Sequence, residues 1–129
     1  MRKTAVLLAI ALFLVTSTAW VLAQEAFVRA PLQKTEYPAG HETHIMMVTS
    51  APGALLPRHT HPGVEISYVV EGELTVTMEG KEAVVVKAGS SFQVPPGVPH
   101  SAKNTAAIPT KVLATFVIEK GKPVASPAP

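Results

Sequence analysis

The chain has 129 residues, no cysteine, and 11 Lys and Arg against 9 Asp and Glu, which gives a formal net charge of +2. This length suits one domain, and the lack of cysteine excludes disulfide bonds as well as a lipid anchor attached through cysteine. Because Arg2 and Lys3 account for the whole excess of positive charge, the rest of the chain is balanced and lacks the basic character of nucleic-acid-binding proteins.

Residues 1–23 have the pattern of a secretory signal peptide. The positive pair Arg2 and Lys3 precedes the apolar residues 5–15, and small residues ending at Ala23 form a cleavage site. Cleavage there predicts an exported protein, periplasmic or extracellular, with no stable membrane span once the signal is removed. An uncleaved membrane anchor is the alternative, because the segment is nearly long enough to cross a bilayer.

The remaining chain is predicted to be all-β. Residues 24–41 are predicted to form an N-terminal arm with at most a short edge strand, residues 42–119 the folded domain, and residues 120–129 a flexible tail rich in proline. Short alternating or β-branched runs, separated by Gly and Pro turn signals, predict strands that close into a sandwich or jelly-roll barrel. These strands are predicted at 42–50, 55–61, 65–70, 74–78, 83–87, 91–94 and 111–119.

Two histidines and a glutamate stand close together in the strand pattern. His59 and His61 are two residues apart, so a β-strand presents both imidazoles on one face. Pro62 and Gly63 signal a turn, and Glu65 opens the next strand. Two imidazoles and one carboxylate from a hairpin suit a divalent transition metal.

A second histidine pair, His41 and His44, superficially resembles a zinc-protease motif. That motif needs histidines at i and i+4 on a helix, but Ile45 occupies the second place and the flanking residues favour a strand. We therefore expect His41 and His44 to be strand histidines, with His44 the nearer to the barrel mouth.

The strand that begins at Glu65 has apolar residues on both faces. Ile66, Tyr68 and Val70 lie on the face opposite Glu65. A monomer rarely exposes such a patch, so the pattern predicts burial against a second copy of the chain in a homodimer.

Two motifs in this chain resemble those of the cupin superfamily. The first comprises Gly53, His59, His61, Glu65 and Gly72, and the second comprises Gly89, Pro95, Gly97, His100 and Asn104. All ten positions match at the family spacing, and the resemblance covers roughly residues 42–119. It implies a double-stranded β-helix, the cupin jelly-roll barrel, with His100 completing a metal-ligand set made of His59, His61 and Glu65.

The implied ligand set is compatible with one divalent transition metal, namely iron, manganese, nickel, copper or zinc. The alternatives are a vestigial site and histidines that are satisfied within the core. Arg58, Tyr68 and Gln93 are candidate substrate-binding residues, and each has a purely structural role as its alternative.

Fold alone does not decide the function of a cupin. The complete ligand set disfavours the metal-free sugar epimerases, the lack of cysteine excludes thiol dioxygenases with a Cys–Tyr cross-link, and the chain is too short for two-domain members. We expect an exported metal-dependent enzyme of dioxygenase type that acts on a small metabolite, with a lyase or an isomerase next. The alternatives are a non-catalytic protein that binds a metal or small ligand, and a purely structural β-sandwich.

Overall fold

The computed structural model describes residues 26–129, and the predicted signal peptide lies outside these residues. The described chain consists of strands and turns, which confirms the predicted all-β class. Within it no helix is long and apolar enough to cross a membrane. The strands are β1 (Phe27–Thr35), β2 (His41–Ser50), β3 (Leu55–Thr60), β4 (Gly63–Glu71), β5 (Glu73–Met78), β6 (Val84–Lys87), β7 (Ser91–Val94), β8 (His100–Asn104), β9 (Thr110–Glu119) and β10 (Ser126–Pro127).

The strands form two five-stranded antiparallel sheets that enclose the core. One sheet has the order β1-β2-β9-β4-β7, and the other has the order β10-β3-β8-β5-β6. Burial alternates along β4 and β9 because successive side chains point to opposite faces. Val69 of β4, Leu74 of β5 and Val112 of β9 belong to one buried cluster, so the two sheets pack through their inner faces.

The first motif depends on a close approach between β4 and β9. Gly63 pairs with Ile118, and a Cβ atom at Gly63 would lie 1.9 Å from the carbonyl oxygen of Val117. The sequence predicts Pro62 and Gly63 as a turn, whereas in the structure Gly63 already begins β4. Glycine at this position therefore allows the hairpin that carries Glu65 to lie directly against β9.

Three strand assignments differ from the prediction. β1 extends to Thr35 and pairs with β2 along its length, so the described part of the predicted arm, from residue 26 onward, forms a full strand. β8 was not predicted as a strand, yet it lies between β3 and β5. Its sequence contains no β-branched or aromatic residue, and strand formation there depends on neighbours distant in the chain rather than on propensity.

The third difference concerns residues 120–129, which the sequence predicts to be a flexible tail. Ser126 and Pro127 instead pair with Thr60 and His59 of β3, and the Ala128 amide donates a hydrogen bond to the Arg58 carbonyl at 3.1 Å. Proline does not prevent this pairing, since β10 is an edge strand that needs few donors. We call residues 123–129 the C-terminal strap.

Candidate metal centre

Three histidines meet inside the barrel near one end of β3. His59 of β3 pairs directly with His100 of β8, and His61 follows two residues after His59. Their ring centroids are 4.1 Å apart for His59 and His100 and 4.9 Å apart for the other two pairs. One nitrogen of each ring lies within 4.8 Å of the others, and all three residues are buried.

Glu65 of β4 adds a carboxylate to the cluster. Its Oε2 lies 3.0 Å from Nε2 of His61 and 3.4 Å from Nε2 of His100, and the Ser67 hydroxyl donates to Oε1 at 2.6 Å. Burial by itself would raise the pKa of Glu65, but the hydrogen bonds from His100, His61 and Ser67 outweigh it and hold that pKa well below its usual range. Glu65 is therefore an anion inside the barrel.

A backbone carbonyl orients each of the three imidazoles through Nδ1. Pro57 O lies 2.8 Å from Nδ1 of His59, Val98 O lies 3.0 Å from Nδ1 of His100, and Val124 O lies 2.6 Å from Nδ1 of His61. A carbonyl can only accept, so each Nδ1 carries the proton and a metal ion would be bound through Nε2.

This arrangement fits a bound cation. His61 donates through Nδ1 while its Nε2 faces Glu65, a pattern that a neutral imidazole cannot satisfy and that requires either a second proton or a metal ion. Burial, followed by repulsion from His100, lowers the pKa of His59 to about 4, so this ring is neutral near pH 7. Three imidazole nitrogens and one carboxylate oxygen could hold a first-row divalent metal ion.

A cavity of about 290 Å³ adjoins the histidine cluster. Its walls are mainly apolar and include Met46 of β2, Phe92 of β7 and Phe116 of β9. The Phe116 ring packs against the His61 ring at a centroid distance of 4.8 Å. The four proposed ligands therefore form part of the wall of an apolar space large enough for a small organic molecule.

Both sequence motifs and the buried cluster lie within a segment of the chain that matches one protein family. Residues 46–116, more than half of the chain, match the Cupin_2 family, described as a cupin domain. The chain belongs to the Cupin_2 family.

Curated and structural relatives extend this assignment. Germin-like protein subfamily 2 member 2 of Arabidopsis thaliana is 42% identical over 71 residues, which cover 51% of this chain and 32% of that protein. The DMSP lyase DddQ of Ruegeria pomeroyi has a TM-score of 0.68 at 22% identity, covering 81% of this chain and 53% of that one. A recombinant oxalate oxidase in complex with glycolate has a TM-score of 0.64 at 27% identity, covering 79% and 55%.

These relatives agree with the double-stranded β-helix expected for this cupin, and one similar solved structure carries that description in its name. The cupin spans about a third of the length of the curated germin-like relative. Its own activity must therefore be argued from its site.

The three weaker candidates for substrate binding lie outside the cavity of this cupin. The Arg58 guanidinium donates hydrogen bonds to Oε1 of Glu79 at 2.9 Å and to an oxygen of Pro129 at 2.5 Å. Tyr68 and Gln93 lie on the outer face of their sheet, because they alternate with the inward residues of β4 and β7. The structure thus places none of the three where a ligand of the cavity would meet it.

His44 and Asn104 have structural partners. Nε2 of His44 lies 3.1 Å from Oε2 of Glu42 and does not join the ligand cluster. The Asn104 side chain donates to the carbonyls of Ser50 and Ile108 and accepts from the Ala106 amide. This motif residue therefore fixes the loop after β8 rather than the metal ligands.

Two residues of the site were missed by the sequence analysis. Arg29 of β1 lines the cavity, and so does Val124 of the C-terminal strap. The alternation of Arg29 with the apolar residues Val28 and Ala30 was a signal that Arg29 occupies a separate face. No local signal indicated Val124, because its role arises from a hydrogen bond between residues 63 positions apart.

Removing the C-terminal strap is expected to weaken metal binding by about 10- to 100-fold, the usual effect of losing an outer partner of a ligand. A chain that ends at Lys122 lacks the Val124 carbonyl, so His61 loses the acceptor that orients its ring. Zn²⁺ affinity can be measured by competition with a chromogenic chelator.

The matched control ends at Pro127. It loses the contacts of Ala128 and Pro129 with Arg58 but keeps Val124 and the β10 pairing. We expect its Zn²⁺ affinity to stay near that of the full chain. Equal affinity in the Lys122-terminated chain and the control would show that the strap does not position His61.

Proposed function

We propose that this cupin is a metal-dependent enzyme that uses dioxygen to transform a small organic metabolite. The observation that carries the proposal is the position of the His59, His61, Glu65 and His100 cluster in the wall of an apolar cavity. A metal ion held there by these four residues would supply Lewis-acid and, for a redox-active metal, electron-transfer chemistry. A likeness to an oxalate oxidase that binds glycolate supports oxygen-dependent chemistry.

The residues of the chain have distinct roles in this proposal. The carbonyls behind the three histidines fix the ring orientations, so little reorganisation is needed when a metal binds. Glu65 supplies negative charge, and Ser67 holds its second oxygen. The mainly apolar walls lower the polarity around a bound substrate, which strengthens electrostatic interactions between the site and that substrate.

The test uses the chain from Gln24 onward, purified and analysed for metals by elemental mass spectrometry. Stoichiometric iron, manganese or copper together with oxygen consumption on a panel of small acids, alcohols and amines would support the proposal. Bound metal without turnover on that panel would favour the non-catalytic binding protein instead. Failure to bind any divalent metal would overturn the proposal.

We also propose that the cupin forms a homodimer through the outer face of the β1-containing sheet. Ile66, Tyr68 and Val70 are about half exposed there, and Val28 and Leu32 extend the apolar surface across β1. A folded monomer seldom leaves so much apolar surface in water. Sedimentation equilibrium at micromolar concentration should give twice the monomer mass, and a purely monomeric profile would contradict this.

Export is the remaining part of the proposal. It is supported by the signal-peptide pattern of residues 1–23. Expression of the full chain followed by N-terminal sequencing of secreted or periplasmic material should give a chain that begins at Gln24. Recovery of the intact N-terminus in the cytoplasm would contradict export.

A further inference from the structure

Arg29 gives the cavity a positive group that the metal site does not use. Among the described residues that line the cavity, it is the only lysine or arginine. It lies on β1 opposite Val48, on the same inner face as Phe27. A permanently charged guanidinium thus stands beside an otherwise mainly apolar wall.

Arg29 is exposed to solvent and also lines the cavity, so its guanidinium lies where the cavity meets solvent. Its neighbours Val28 and Ala30, which alternate with it along β1, are exposed on the other face of the strand. A charge at this position stays hydrated in the free protein and is accessible to a ligand that enters the cavity.

Among the described residues, the Arg29 side chain forms one hydrogen bond, which leaves most of its donors available to a ligand. Its guanidinium has five N–H donors, and Nη1 donates to the Phe27 carbonyl at 3.2 Å. In the part of the chain that the structure describes, no carboxylate forms a salt bridge with Arg29, whereas Arg58 and Lys34 are each paired with a glutamate. Burial lowers the pKa of Arg29, and the negative charge of Glu65, which lines the same cavity, acts in the opposite direction.

We propose that Arg29 forms a carboxylate-binding subsite, and that the substrate is a small organic acid held by Arg29 with its reacting carbon near the histidine cluster. The proposal rests on the proposed function and names its substrate class. A planar guanidinium binds a carboxylate through two parallel hydrogen bonds. One arginine matches a single negative charge, whereas the second charge of a phosphate would find no other lysine or arginine among the described residues that line the cavity.

The test measures binding of propionate, propionamide and inorganic phosphate by NMR titration. It uses the Zn²⁺-loaded protein, which is redox-inert and diamagnetic, and the metal-free protein in parallel. Arg29→Gln should weaken propionate binding by about 10- to 100-fold, as expected for a charge-assisted pair, without changing propionamide binding or Zn²⁺ stoichiometry. Arg29→Lys should recover part of the affinity.

Lys103→Gln is the charge-matched control, because Lys103 is exposed on β8 and does not line the cavity. Loss of propionate binding in this variant, tighter binding of phosphate than of propionate, or no propionate binding to the parent at tens of millimolar would overturn the subsite. Arg29-dependent propionate binding without turnover of any acid would leave the subsite standing while the enzymatic proposal fails. Turnover of a small acid at an unchanged KM in Arg29→Gln would support the enzymatic proposal and overturn the Arg29 subsite.

Discussion

Replacing His100 with alanine is expected to abolish stoichiometric metal binding. His100 contributes one of three imidazoles and also lies 3.4 Å from Oε2 of Glu65, so its loss removes a ligand and leaves a buried carboxylate less well compensated. Losing a direct ligand should exceed the roughly 10- to 100-fold effect of losing an outer partner. Elemental mass spectrometry and chelator competition with Zn²⁺ measure the change.

His44→Ala is the matched control for this experiment. His44 is a partly buried histidine of the same barrel, but it contacts Glu42 and lies outside the cluster. It should keep full metal content and the rise in melting temperature that a bound metal causes. The metal centre would have to be placed elsewhere if His100→Ala retained its metal or if both variants lost it equally.

Acidification from about pH 6.5 to about pH 4 is expected to destabilise the metal-free protein by about 3 kcal/mol through His59, since each pKa unit corresponds to about 1.4 kcal/mol. In the folded state burial lowers the pKa of His59 from 6.5 to about 4. Between these pH values the unfolded chain binds a proton that the folded chain does not. Stability must therefore rise with pH across this window and fall as the pH is lowered.

Glu65 contributes to the stability of the folded protein in a different and more acidic pH range. Its pKa is held below the usual value, so its stabilisation is complete above an unfolded-state pKa near 4.5 and is lost only as the pH falls further.

Urea unfolding of chelator-treated protein from pH 7.5 to pH 4 would isolate the His59 effect. In His59→Gln the slope between pH 6.5 and pH 4 should flatten, and an unchanged slope would show that another group causes it.

Bound metal should steepen this pH dependence, because protons and metal compete for the same nitrogens and the stabilisation from the metal is lost as the pH falls. The free energy of unfolding of the metal-loaded protein should therefore exceed that of the metal-free protein by a margin that shrinks toward pH 4. This comparison uses the same protein samples as the urea unfolding, and it links the pH dependence of stability to the metal-binding measurements.

The sequence alone predicted the all-β class, which the structure confirms, and most of the proposed metal-ligand set. His59 and His61 share a face because a strand repeats every two residues, and Glu65 follows after a short turn. These relations are local, so they can be deduced without knowing how distant strands pair. His100 lies far along the chain, and its assignment came from the motif resemblance rather than from strand geometry.

Only the tertiary structure decided what surrounds these ligands. The Val124 carbonyl reaches His61 and Arg29 reaches the cavity because β10 adds to β3 and β1 adds to β2. The same packing leaves Arg58 bound to Glu79 outside the cavity. Such contacts join residues tens of positions apart, and they depend on sheet order and register, which no local pattern of the sequence specifies.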